Sequence, residues 1–127
     1  MLMRALIGSI ALVTTSAVAQ LSSQWQFCTG NPGIDWDTQI KSCTALIQSG
    51  TELKENEAIA FYNRALAYES KEKYDLAIAD FTEAIRLNPN DADFFLSRGI
   101  DKQRIGDKAG SDADIAEAKR LNPNVGK

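Results

Sequence analysis

Two cysteines, Cys28 and Cys43, are the first residues whose type could carry chemistry. Thiols at this spacing can close a disulfide loop or act as a redox pair. The redox role requires an exposed, low-pKa thiol, usually within a CxxC motif, and neither cysteine sits in one. Two thiols alone do not complete a tetrahedral zinc site. The acidic pairs Asp35/Asp37 and Asp112/Asp114 lack the D-x-[DN]-x-[DN]-G spacing of a calcium loop. Acid-base catalysis would need two carboxylates held in environments that split their pKa values, and nothing in the sequence marks such a cleft. With no histidine, Ser-His-Asp and Cys-His nucleophile sites and His-ligated metal or haem sites are excluded. Gly-rich phosphate loops and G-x-S-x-G elbows are absent too. No catalytic residue, metal ligand or cofactor is therefore assigned, and the chain is read as a non-enzyme.

Its 14 Lys+Arg against 17 Asp+Glu give a net charge of −3, which argues against nucleic acid as a partner. A 44% hydrophobic and 24% charged composition is ordinary for a soluble chain, and 127 residues allow one modest core. Residues 1–19 run from Arg4 through an apolar stretch, Ala5 to Val13, into Ala17-Val18-Ala19. This is the plan of a secretory signal peptide cleaved before Gln20, the apolar run being too short for a membrane-spanning helix. The expectation is a periplasmic or secreted protein with no membrane span in its mature chain. An oxidising compartment makes a Cys28–Cys43 disulfide the expected state. By chain-entropy arithmetic such a loop contributes about 3 kcal/mol.

The elements that must position any binding site show in an internal repeat. Shifted by 34, residues 58–90 and 92–124 are identical at 12 of 33 positions. The matches include Ala58/Ala92, Phe61/Phe95, Arg64/Arg98, Asp80/Asp114, Ala84/Ala118 and the run Arg86–Asn90 with Arg120–Asn124. Apolar residues recur at helical spacing, predicting helices over 55–70, 74–87, 92–105 and 108–121. Pro89 and Pro123 stop the second helix of each unit, and Asp91 is a candidate N-cap. No strand pattern appears after the leader.

Both units resemble the tetratricopeptide repeat, a helix-turn-helix of 34 residues. Unit one supplies Phe61, Ala65, Tyr68, Ala77, Phe81, Ala84 and Pro89 at the marked spacings; unit two supplies Phe95, Gly99, Ala118 and Pro123. The resemblance implies an all-α, right-handed helical solenoid. Unit two departs from the pattern at Lys102, Gly110, Ser111 and Asp112, which fits a polar capping helix at the end of a stack. Residues 37–47 align with 75–85, pairing Ile40 with Ile78, Cys43 with Phe81, Thr44 with Thr82 and Ile47 with Ile85. The expected organisation is a leader at 1–19, a disulfide-stapled degenerate hairpin at 20–54 with a short first helix at 22–28, and repeats at 55–90 and 91–124. The whole is similar to small exported tetratricopeptide-repeat proteins with an N-terminal cysteine pair.

The resemblance implies that the first helix of each unit lines a concave face that binds a peptide or helix of another protein. Carried onto this chain, that face comprises Ile59, Tyr62, Asn63, Leu66, Glu69, Asp93, Leu96, Ser97, Ile100 and Arg104. Asn63 stands where the family often carries a groove Asn that bonds peptide backbone. Tyr62 and Leu66 can equally be buried against residues 37–50. Asp93 and Ser97 argue against a carboxylate clamp, which would want cations there. Arg64 and Arg98 read as scaffold bridges to carboxylates of neighbouring helices, with paired anion contacts as the alternative. Trp25 and Trp36 either pack the hairpin or present an exposed aromatic anchor. The chain is thus expected to be an interaction module, with a self-associating envelope protein as the second reading.

Overall fold

The computed structural model describes residues 15–127, with side chains from Val18 onward. Six helices follow one another: α1 (Thr15–Cys28), α2 (Trp36–Ser49), α3 (Lys54–Ser70), α4 (Tyr74–Leu87), α5 (Ala92–Arg104) and α6 (Lys108–Leu121). Among the described residues there is no strand, and no helix is long and apolar enough to cross a membrane. Each helix packs chiefly on its chain neighbours, the arrangement of a helical solenoid. The positive start and apolar run of the expected leader lie outside the described residues. The helix expected to begin at Ser22 is longer, since α1 already runs through Ala19 and Gln20. The sequence reading began that helix after the assumed cleavage point, although the residues Thr15–Leu21 contain no helix breaker.

Capping explains most boundaries. Asp35 precedes α2 and its carboxylate accepts from Thr38 N at 2.9 Å. Those Thr38 hydrogen bonds hold the Asp35 carboxyl below the usual range. Asp91 caps α5 as expected, accepting from Asp93 N, and Asp107 caps α6 through Gly110 N. The repeated Asn-Pro-Asn runs close the two units alike. Asn88 accepts from the Asn90 amide and Asn122 from the Asn124 amide, each just after its helix ends.

The core is a chain of small clusters between successive helices. Cys28, Cys43, Leu46 and Ala60 form the first, with Leu21, Trp25 and Ile47 against it. Cys28 and Cys43 are disulfide-bonded within this cluster. Ala58, Phe61, Ala84 and Phe94 form the second, and Ala65, Ala77 and Phe81 the third. Ala92, Ala118 and Val125 form the last, beneath the C-terminal turn. Small residues set how closely the helices approach. A Cβ on Gly99 would lie 3.1–3.2 Å from Ile115 Cγ1, Asp114 Cβ and Ser111 O, so α5 and α6 are packed to the limit of the backbone there.

Candidate functional site

Two buried ion pairs fix the first helix of each unit against the second. Arg64 of α3 donates to Asp80 of α4 through Nε at 2.7 Å and Nη2 at 2.8 Å. Arg98 of α5 donates to Asp114 of α6 in the same fork, at 2.8 and 2.7 Å. The third guanidinium arm reaches back to the preceding unit: Arg64 Nη1 to Thr44 Oγ1, and Arg98 Nη1 to Thr82 Oγ1. Arg64 also lies over the rings of Phe61 and Tyr68. Where unit one has Tyr68, unit two has Lys102, which pairs with Asp114 at 2.9 Å. Burial pushes the Asp114 carboxyl up, but hydrogen bonds from Arg98 and Lys102 outweigh it and hold it below the usual range. These arginines belong to the scaffold, as the sequence reading favoured.

A groove of about 590 Å³ is lined by the N-terminal hairpin, α3 and the end of α5, and none of the fork residues lines it. The α1–α2 turn supplies Thr29 and Gly30, and α2 supplies Trp36 and Gln39. From α3 come Asn63, Leu66, Glu69 and Ser70; Glu72, Tyr74 and Arg104 complete the lining. The N-terminal hairpin thus walls this groove instead of covering it. Asn63, Leu66 and Arg104, all expected on a binding face, are gathered here, together with Glu69.

The other expected residues sit elsewhere. Tyr62 is packed between Phe81 and Phe94, with ring centroids 5.6 and 4.9 Å away, and burial raises its hydroxyl pKa. The two phenyl rings claim its face, so it braces α3 against α4 and α5. Ser97, on α5, is half-buried beyond the groove. Leu96 packs on the last cluster, where the turn at Val125 and Gly126 reaches it. Ile59 and Ile100 are exposed and do not line the groove. Of the two tryptophans, Trp25 packs the hairpin and donates Nε1 to Glu52 at 3.0 Å, whereas Trp36 is 47% exposed at the groove wall. Trp36 opens α2 directly after its cap, a position that holds the ring outside the hairpin core.

Polar groups at the groove are unevenly satisfied. Gln39 is 4% exposed; its Nε2 donates to the carbonyls of Cys28 and Asn63, while its Oε1 has no donor. Arg104 donates to the Tyr74 hydroxyl at 3.1 Å, lies 5.3 Å from that ring's centroid and sits 3.7 Å from Glu69. Beside it, Asp101 is fully buried and neither carboxylate oxygen has a hydrogen-bond partner. Burial first, and then Glu69, push its carboxyl up to about 7, with Arg104 at 4.0 Å pulling the other way. Unit one has Ala67 at the matching place. Among the described residues no cluster of acids and cysteines could hold a metal ion.

These helices, forks and groove define a short repeat protein built on helix-turn-helix units. Residues 58–91 match the tetratricopeptide repeat family. Residues 58–91 form a tetratricopeptide repeat, and the second unit is built on the same fork and turn as the matched one. Such a repeat suggests a protein–protein interaction module, and proteins of this kind are generally non-enzymatic scaffolds. No curated protein matches the chain.

Proposed function

We propose that this protein is an exported adaptor or assembly factor that binds a peptide or helix of another protein in the groove between its N-terminal hairpin, α3 and the end of α5. The observation that carries this reading is the groove itself. It is open, about 590 Å³, and its wall combines an exposed Trp36, the apolar edge of Leu66 and the polar side chains of Asn63 and Gln39. An exposed aromatic beside convergent polar groups is how protein-binding surfaces concentrate their affinity. The Cys28–Cys43 disulfide fits an oxidising compartment, and with the leader-like residues 1–19 it supports a periplasmic or secreted location. In this reading residues 20–54 form a degenerate repeat whose second helix, α2, completes the groove wall.

The test is a paired replacement, Trp36→Ala with Asn63→Ala, which touches exposed or half-buried groove atoms and leaves the forks intact. Loss of the partner retained by the wild-type chain, at equal helicity, is the expected result; retention of the partner overturns the groove.

Self-association is the second reading, and one feature favours it. Leu76, at the start of α4, and Ile105, just after α5, are about half exposed and line a 290 Å³ hollow with Tyr74. A dimer in sedimentation that is dispersed by Leu76→Asp would establish that reading instead.

A further inference from the structure

One end of the groove is acidic, aromatic and short of donors. Lys71 forms an ion pair with Asp37, drawing the α3–α4 turn against the start of α2. This brings Trp36, beside Asp37, and Glu72, beside Lys71, into one groove lining with Glu69. Glu72 has no ion-pair partner among the described residues, and its side chain projects from a left-handed backbone (φ 58°) where unit two has Gly106. Arg104, the groove's only cation, is occupied by Tyr74 and Glu69. Gln39 adds a buried acceptor without a donor at the groove floor, its Oε1 3.2 Å from where a Cβ on Gly30 would stand. The two lining carboxylates outnumber the one lining guanidinium, and Asp101 beneath them has no hydrogen-bond donor at all. Burial is the main cause of the upward push on its carboxyl, with Glu69 adding to it and Arg104 pulling the other way.

We propose that this end of the groove, bounded by Trp36, Glu69 and Glu72, receives the side-chain cation of a lysine or arginine on the partner polypeptide. The proposal rests on the groove-binding reading above and names the chemistry it selects. The exposed ring of Trp36 offers a π face to the cation, and Glu69 and Glu72 offer charge. Arg104 already shows the mode within the chain, its guanidinium stacked on Tyr74 beside Glu69. An acidic anchor is disfavoured because it would face the two lining carboxylates, with the one lining cation already engaged.

The test is selection of random dodecapeptides displayed on phage against the full chain, in parallel with Glu69→Gln/Glu72→Gln, Trp36→Ala and Glu83→Gln. Glu83 lies on α4 away from the groove and serves as the control. The wild-type chain and Glu83→Gln are expected to enrich peptides sharing one Lys or Arg position. Replacing that residue by Met in a selected peptide is expected to weaken binding about tenfold, as is either groove variant. Selected peptides without a shared basic position, or with a shared acidic one, overturn the proposal. If such peptides still lose binding to Asn63→Ala, the groove stands and only its cation preference falls. No selectable peptide, or peptides indifferent to every groove replacement, overturns both the preference and the groove.

Discussion

Thr44 stands to Arg64 as Thr82 stands to Arg98: in each case a threonine hydroxyl on the preceding unit's last helix accepts the Nη1 arm, at 3.0 and 3.1 Å. The remaining arms grip Asp80 and Asp114, so each arginine ties three helices together. The relation places α2 before the first repeat as α4 is placed before the second. It supports reading residues 20–54 as a degenerate repeat, and it makes the arginine forks the main polar tie along the stack.

Removing one partner of such a fork leaves the other charged and buried. Arg64→Met or Asp80→Leu alone is expected to cost about 3–5 kcal/mol, while the double replacement costs clearly less than the sum. A double-mutant cycle from urea melts followed by circular dichroism checks this. Additive losses would show that the pair contributes little beyond packing.

The disulfide should matter most for the hairpin. Cys28→Ser/Cys43→Ser is expected to lower stability by about 3 kcal/mol, by loosening the loop in the unfolded chain and depleting a cluster of four buried residues. The native protein should show no reactive thiol until reduced. Free-thiol labelling together with a melt of the reduced protein reads both effects, and two thiols labelled without reductant would contradict the bridge.

Two glycines inside the last repeat should behave oppositely. Gly99→Ala drives a methyl into Ser111 O, Asp114 Cβ and Ile115, and is expected to destabilise by about 1–3 kcal/mol. Gly110→Ala meets only the capping carboxylate of Asp107, an exposed group that can turn away. There a lost cap of about 1 kcal/mol is offset by a similar gain in helix propensity. Equal losses at both sites in thermal melts would contradict this account of the α5–α6 contact.

Asp101 carries a pH signature. Its carboxyl is raised from an ordinary 3.8 to about 7, so the folded chain holds the proton more tightly than the unfolded one. Its contribution to stability is therefore full below about pH 4 and is lost as pH rises toward and through 7. Asp114 works the other way, its lowered carboxyl contributing above the usual range and failing only in acid. Asp101→Asn is expected to flatten the decline between pH 5 and 8, and Asp101→Ala to stabilise the chain by about 1–3 kcal/mol near pH 8. A melting temperature that falls equally with pH in wild type and Asp101→Asn would contradict the assignment.

Much of this was legible in the residues. The 34-residue period, the prolines and the helical spacing gave four helices to within a residue, and Thr44 and Thr82, aligned in the sequence, occupy matching places beside Arg64 and Arg98. What escaped depended on partners far along the chain. Tyr62 looked like a groove residue because nothing in α3 alone shows that Phe81 and Phe94 enclose it. Leu96 was placed on the concave face by its position in the repeat alone, whereas Val125 and Gly126 turn back on it. Gln39 and Glu72 carried no motif; only the folded hairpin brings them beside Asn63. Trp36 was legible as an alternative, and its place just after an N-cap aspartate was the signal that could have decided it.

The central claim, that the groove beside Asn63 receives another protein, is tested most directly by a photo-crosslinking residue placed in turn at Asn63, Trp36 and, as a control on α4, Glu83 in living cells. The account predicts one adduct of the same mass from the first two positions and none from Glu83. Adducts from Glu83 alone, or only to a second copy of this chain from every position, would contradict it.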